Sequence, residues 1–273
     1  MLAYLLLLLI GIVSATFGSI VGLGGGIIIV PALIYIGPHL LDRDITTAVA
    51  VGTSLTVLIV TALASTLTYL KRGTVDFRSG WLYFATSGPA AVAGASLTGL
   101  FPQATFQLAF GCFMLFMAGL MVARDYLKPV ELKWRIRRTF TDASGHTWEY
   151  GYSVIPALFV GLGVGLISGL FGIGGGSLFV PVMVLLFAYP PHVATATSMF
   201  VIFLSAILGS ATHVAAGEID WPSVAALAPG AWLGGWLGAR IASRMSGRGL
   251  LWLLRATLFV LSLRLIADGI GLW

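Results

Sequence analysis

One string occurs twice in this chain. Gly22-Leu23-Gly24-Gly25-Gly26-Ile27-Ile28-Ile29-Val30-Pro31 returns as Gly172-Ile173-Gly174-Gly175-Gly176-Ser177-Leu178-Phe179-Val180-Pro181, each copy inside a long apolar stretch. Clustered glycines do not sustain a helix. In lipid, where no water bonds a freed amide, such a break survives only if protein buries it or if it lines a polar cavity. The duplicated break therefore points to a small-solute site inside a membrane protein.

Composition agrees. Hydrophobic residues make up 58% of the 273 positions and charged residues 9%, whereas a soluble domain carries about 25% charge. Apolar runs occupy 2–36, 46–70, 79–99, 104–123, 154–189, 194–216, 223–239 and 249–267. Each is close to or above the ~20 residues a crossing helix needs, and none has the short alternating segments of a membrane barrel. The formal net charge is +5, but the basic residues crowd the ends of apolar runs, where they orient the chain rather than form a nucleic-acid face. Cys112 stands alone, so no intramolecular disulfide forms, and it reads as a small packing residue. Met1–Ser19 looks like a signal peptide but has no basic residue before its apolar core, and its pattern recurs at Val154–Gly176. It is expected to stay as a membrane segment.

The repetition extends beyond the glycines. At a shift of 144, Val49, Ala50, Thr53 and Ser54 meet Val193, Ala194, Thr197 and Ser198, and Gly73 and Asp76 meet Gly217 and Asp220. The chain divides into a first membrane repeat (1–125), a connection (126–150) and a second repeat (151–273). Lys71, Arg72 and Arg78 place the first loop inside, as do Arg124, Lys128, Lys133, Arg135, Arg137 and Arg138 the connection. The equivalent loop of the second half has Glu218 and Asp220 but no Lys or Arg, while Arg240, Arg244 and Arg248 mark the next as inside. The repeats are thus expected to be inverted. As one helix, Leu2–Ile36 would be about 52 Å long, far beyond a ~30 Å hydrocarbon core. The sequence predicts an all-α polytopic membrane protein of two inverted repeats, each a glycine-broken re-entrant hairpin (2–36, 154–189) plus three transmembrane helices. Arg135–Thr141 and Thr147–Tyr152 alternate and flank Asp142–His146, which reads as a cytoplasmic β-hairpin acting as a linker.

Inverted repeats with discontinuous helices hold substrate near the midplane, where half-helix ends meet. A helix beginning after Gly26 or Gly176 points unpaired N–H groups and its positive dipole end at the break, and such an end favours an anion. Candidate contacts are Gly24, Gly25, Gly26 and Ile27 in one copy and Gly174, Gly175, Gly176 and Ser177 in the other. Thr53, Ser54, Thr197 and Ser198 can donate to an anion without placing fixed charge in the bilayer, or can bond the helix carbonyl four residues back. Pro31 and Pro181 either start the return helix or lie inside it, where the carbonyl four residues earlier loses its donor. Gly161, Gly165 and Gly169, and Gly230, Gly234 and Gly238, are spaced for close helix packing.

Charged groups within the spans are few. Arg255 is expected to snorkel, Arg264 and Asp268 to pair on a helix surface, Asp76 and Asp220 to cap helices, and His213 to sit at an interface. The remaining histidines have no metal-ligand spacing, and no nucleotide-binding, hydrolase or zinc-protease motif is present. Neither a metal, a cofactor nor an enzymatic activity is indicated.

The glycine-and-proline signatures, Val51-Gly52-Thr53-Ser54-Leu55 with Ala196-Thr197-Ser198-Met199, and Arg72-Gly73-Thr74-Val75-Asp76-Phe77 with Gly217-Glu218-Ile219-Asp220-Trp221, together resemble the TauE/SafE family over nearly the whole chain. The resemblance implies a permease of the bacterial inner membrane that moves sulfite and organosulfonates such as sulfoacetate, usually outward. It makes the glycines and hydroxyls named above the positions to test. The partners implied are a small anionic substrate and membrane lipid, with homo-oligomerisation left open. The expected mechanism is rocking of one half against the other; the alternatives are a permease for another small anion and a non-transporting membrane scaffold or accessory subunit.

Overall fold

Only a helix satisfies its own backbone within lipid, and the apolar runs fold accordingly. A computed structural model describes residues 2–35, 37–38, 45–123, 135–141 and 147–271. Among these, the first half holds α1 (Leu2–Val21), α2 (Gly26–Tyr35), α3 (Thr47–Leu70), α4 (Phe77–Leu97) and α5 (Gln103–Ala123). Strands β1 (Ile136–Thr141) and β2 (Thr147–Tyr152) follow. The second half repeats the order as α6 (Val154–Phe171), α7 (Gly176–Leu186), α8 (Pro191–Ala215), α9 (Trp221–Ala242) and α10 (Gly247–Gly269). By length and composition, α1, α3, α6 and α8 are apolar enough to cross a membrane. The arms of each broken run are unequal: 20 and 10 residues for α1 and α2, 18 and 11 for α6 and α7.

Carboxylates set the starts of two helices. Asp76 accepts from the N–H groups of Arg78 and Ser79 at the head of α4, and Asp220 accepts from Ser223 N–H at the head of α9. Both aspartates are N-caps, as their position after a glycine turn suggests.

The extensive helix pairings all join one half to the other: α1 with α9, α4 with α6, α3 with α8, α3 with α9, α4 with α8, and α5 with α10. The pattern is pseudo-symmetric, since exchanging the halves maps α1–α9 onto α6–α4 and leaves α3–α8 and α5–α10 on themselves. Spaced glycines make the closest pairings. Gly230, Gly234 and Gly238 of α9 lie against the backbone of Leu8, Ile12 and Thr16, and Gly161, Gly165 and Gly169 of α6 against that of Tyr83, Ser87 and Ala91. Interlocking of this kind corrects one expectation: a half is not a separable body that can rock against the other.

The strands pair antiparallel, from Ile136 opposite Tyr152 to Thr141 opposite Thr147. The rest of the connection, with Arg124, Lys128, Lys133 and Asp142–His146, lies outside the described residues. One smaller expectation changes, since Cys112 is exposed rather than packed; His213, in the last turn of α8, is buried within the protein.

Candidate functional site

Each long apolar run is broken by left-handed glycines. Gly22, Gly24 and Gly25 have φ of 80°, 79° and 96°, and Gly172, Gly174 and Gly175 have φ of 68°, 72° and 71°; an L side chain there costs roughly 1–2 kcal/mol. The Gly18 carbonyl accepts from Leu23 N–H at 2.7 Å and Gly24 N–H at 3.1 Å, closing α1. α2 then restarts, with Ile28 and Ile29 N–H donating to Gly25 O. The N–H groups of Gly26 and Ile27 have no acceptor among the described residues. Pro31 and Pro181 lie inside α2 and α7, so the carbonyls of Ile27 and Ser177 lose their helical donors. The Ser177 side chain lies outside the described residues.

Contacts with α3 fix the depth of the first break. Ser19 Oγ lies 2.6 Å from Ser65 Oγ, and Tyr69 Oη donates to Ser19 O at 2.7 Å, so α1 runs to the last third of α3. The glycines then turn back towards its middle: a methyl added at Gly24 would sit 2.7 Å from Leu58 Cδ2. Its counterpart Gly174 meets Ile202 Cγ2 at 2.7 Å and Leu58 Cδ1 at 3.1 Å. Leu58 and Ile202 occupy the middles of α3 and α8. Gly26 packs directly on the Gly172 carbonyl and on Ile173, so the breaks of the two halves meet, with Leu58 and Ile202 filling the space beside them.

Of the four hydroxyls, the two serines reach this crossing and the two threonines reach the capping loops. Ser54 Oγ donates to Gly172 O at 2.9 Å, and Ser198 Oγ donates to Gly22 O at 3.2 Å and Thr195 O at 2.8 Å. Thr53 Oγ1 accepts Asp220 N–H at 2.9 Å, and Thr197 Oγ1 accepts Asp76 N–H at 3.0 Å. All four side chains are fully buried. The serines thus hold the opposite half's glycine break, and the threonines hold the opposite half's capping loop. Each threonine O–H proton has no acceptor among the described residues.

Two polar clusters, which the residue pattern does not reveal, flank the crossing. Asp76 accepts from Arg138 at 3.1 Å and from Tyr150 Oη at 2.9 Å, and Gly151 N–H donates to Phe187 O at 3.2 Å, so the β-hairpin is docked on α4 and the α7–α8 turn. Burial and then the Asp76 charge push the Tyr150 hydroxyl well above its usual range. Burial opposes the Arg138 charge, yet Asp76 keeps its pKa above the ordinary value. In the other half, His213 Nδ1 lies 2.7 Å from Glu218 Oε2. His213 Nε2 is buried without a partner among the described residues, and the ring packs on Gly52 beside Thr53.

The chemistry available at the crossing is binding: main-chain donors, hydroxyls and apolar side chains. No three His, Cys, Asp or Glu side chains converge among the described residues. A multi-pass helical protein with a duplicated helix break at its centre has the build of a solute transporter. The chain matches the family described as "Sulfite exporter TauE/SafE" over residues 7–265. It belongs to that family and is a membrane transporter rather than an enzyme. It is 42% identical to "Probable membrane transporter protein YunE" of Bacillus subtilis over 98% of this chain and 99% of that protein. A "Probable membrane transporter protein" of Xylella fastidiosa is 27% identical over 86% of this chain and 83% of its own length. YjnA of B. subtilis, also a "Probable membrane transporter protein", is 24% identical over 95% and 98%. Relatives of this kind support a bacterial inner-membrane location. No solved structure matches the chain.

Proposed function

We propose that the chain is a secondary permease for small sulfur oxyanions such as sulfite, sulfoacetate or other organosulfonates, held at the crossing of the two glycine breaks. The observation that carries this reading is the first turn of α2, where the buried N–H groups of Gly26 and Ile27 have no acceptor among the described residues. A buried amide without a partner costs about 1–3 kcal/mol, and an anion at a helix N-terminus removes that cost while meeting the positive end of the dipole. Gly176 and Ser177 stand at the equivalent place on α7. The sulfur-oxyanion class rests on the family's description; the helix ends favour any compact anion.

In this reading the repeats, 1–125 and 151–273 joined by 126–150, are inverted in the membrane. Antiparallel contact of α3 and α8, with Gly52 on His213 and Thr56 Oγ1 2.8 Å from Ser210 Oγ, supports it. So does the turn-back of each break to the middle of a span, which is what a re-entrant hairpin requires. The packing supports two moving bodies, with α1, α2, α3 and α9 in one bundle and α6, α7, α8 and α4 in the other, meeting where α3 crosses α8. Sliding there carries Leu58 off the Gly174 break and Ile202 off the Gly24 break, and opens the site to alternate sides.

Flux into proteoliposomes tests the proposal. Counterflow of labelled sulfite, thiosulfate or sulfoacetate is expected, with competition among them. Absence of flux with every small oxyanion would leave the scaffold reading in its place.

A further inference from the structure

Far along α3 from the crossing, its end and the end of α9 enclose a cavity of about 430 Å³. Its lining includes Leu67, Lys71, Arg72, Trp232, Trp236 and Arg240 and, among the described residues, no acidic side chain. Among the described residues, no carboxylate forms an ion pair with any of the three cations. The Arg240 guanidinium lies 4.1 Å from the centroid of the Trp236 ring. That stacking fixes the cation by its face and leaves its N–H edges for an acceptor. Three like charges gathered without a counter-charge repel one another, and a bound anion relieves the repulsion.

Position decides where that anion comes from. Leu67, Trp232 and Trp236 are 43%, 44% and 39% exposed on the perimeter of a protein whose perimeter faces lipid. Tryptophan and basic side chains together at the end of spanning helices mark the headgroup level, and basic pockets between such helices suit phospholipid headgroups. A water-borne anion needs only the charges, whereas a phospholipid also uses the exposed indoles and leucine, which its acyl chains cover. We propose that this cavity binds the phosphate group of an anionic phospholipid, with Lys71, Arg72 and Arg240 on the phosphate and Leu67, Trp232 and Trp236 against the chains. The occupant bridges α3 and α9, which also meet where Ser65 Oγ donates to Gly235 O at 3.2 Å. Such a lipid is a structural ligand of one bundle, distinct from the transported solute.

Native mass spectrometry of the detergent-purified full chain, titrated with phosphatidylglycerol or phosphatidylcholine, tests the site. One phosphatidylglycerol per chain is expected to be retained at activation energies that strip phosphatidylcholine. Replacing the three cations together (Lys71→Gln, Arg72→Gln, Arg240→Gln) should weaken its binding on the order of a hundredfold, while the control Arg244→Gln with Arg248→Gln should not. A photoreactive phosphatidylglycerol on the unmodified chain should label the peptides carrying Leu67 or Trp232–Trp236, an arm that needs no variant to fold. Equal retention of the two lipids, unchanged binding in the triple variant, or labelling elsewhere overturns the proposal. So does competition by soluble glycerol 3-phosphate at concentrations equal to the lipid's, which would make the occupant a free phosphate.

Discussion

Ser54 of α3 donates its hydroxyl proton to the carbonyl of Gly172 at 2.9 Å, fastening one half of the chain to the helix break of the other. Removing the hydroxyl leaves a buried carbonyl without its donor, so Ser54→Ala should cost about 1–3 kcal/mol. Thermal unfolding in detergent checks this. Ser198→Ala should cost less, because its bond to Gly22 O is longer, at 3.2 Å, and is shared with Thr195 O.

In the proposed permease, Leu58 and Ile202, which pack beside the glycines, form the apolar barrier. Leu58→Ala should destabilise by about 2–5 kcal/mol and raise passive anion leak in proteoliposomes at least severalfold. An unchanged leak would place the barrier elsewhere.

Glycine substitutions separate folding from transport only at chosen positions. A methyl at Gly25, where φ is 96°, would lie 2.7 Å from the Ser14 carbonyl oxygen, so Gly25→Val should fail to give monodisperse protein. Gly175, where φ is 71°, is surrounded by side-chain atoms of Val164, Ser168 and Phe179 at 3.1–3.4 Å, which can yield. Gly175→Ala should elute normally, with flux reduced tenfold or more; size-exclusion and flux measurements on one preparation decide it.

The docked β-hairpin has its own pH signature. The Tyr150 hydroxyl is raised in the folded chain above its ordinary value of about 10. Its contribution is therefore complete below pH ~10 and is lost as pH climbs through the folded value. Hydrogen exchange at 136–141 and 147–152, corrected for intrinsic rates, should stay constant from pH ~7 to ~9. Tyr150→Phe and Arg138→Gln should each accelerate it at neutral pH.

Features set by local chemistry were legible in the sequence. Helix breaks follow from glycine conformation, the caps at Asp76 and Asp220 from their place after a turn, and the packing role of Gly161 and Gly230 from their four-residue spacing. The shift of 144 also paired Thr53 and Ser54 with Thr197 and Ser198. Their partners were not legible, because Ser54 meets Gly172 at a separation of 118 residues and Ser198 meets Gly22 at 176. Nothing local encodes a contact between halves, and the same limit hid their interlocking. The burial of His213 was not legible either, because it comes from the approach of Gly52, which has no side chain to hold the ring away.

Selenite, an electron-rich analogue of sulfite, locates the anion directly by anomalous scattering in crystals grown with it. A selenium peak is expected at the crossing, with oxygens about 3 Å from the main-chain nitrogens of Gly26 and Ile27 or of Gly176 and Ser177. A peak bound only by side-chain cations, away from both glycine breaks, would contradict binding at the crossing.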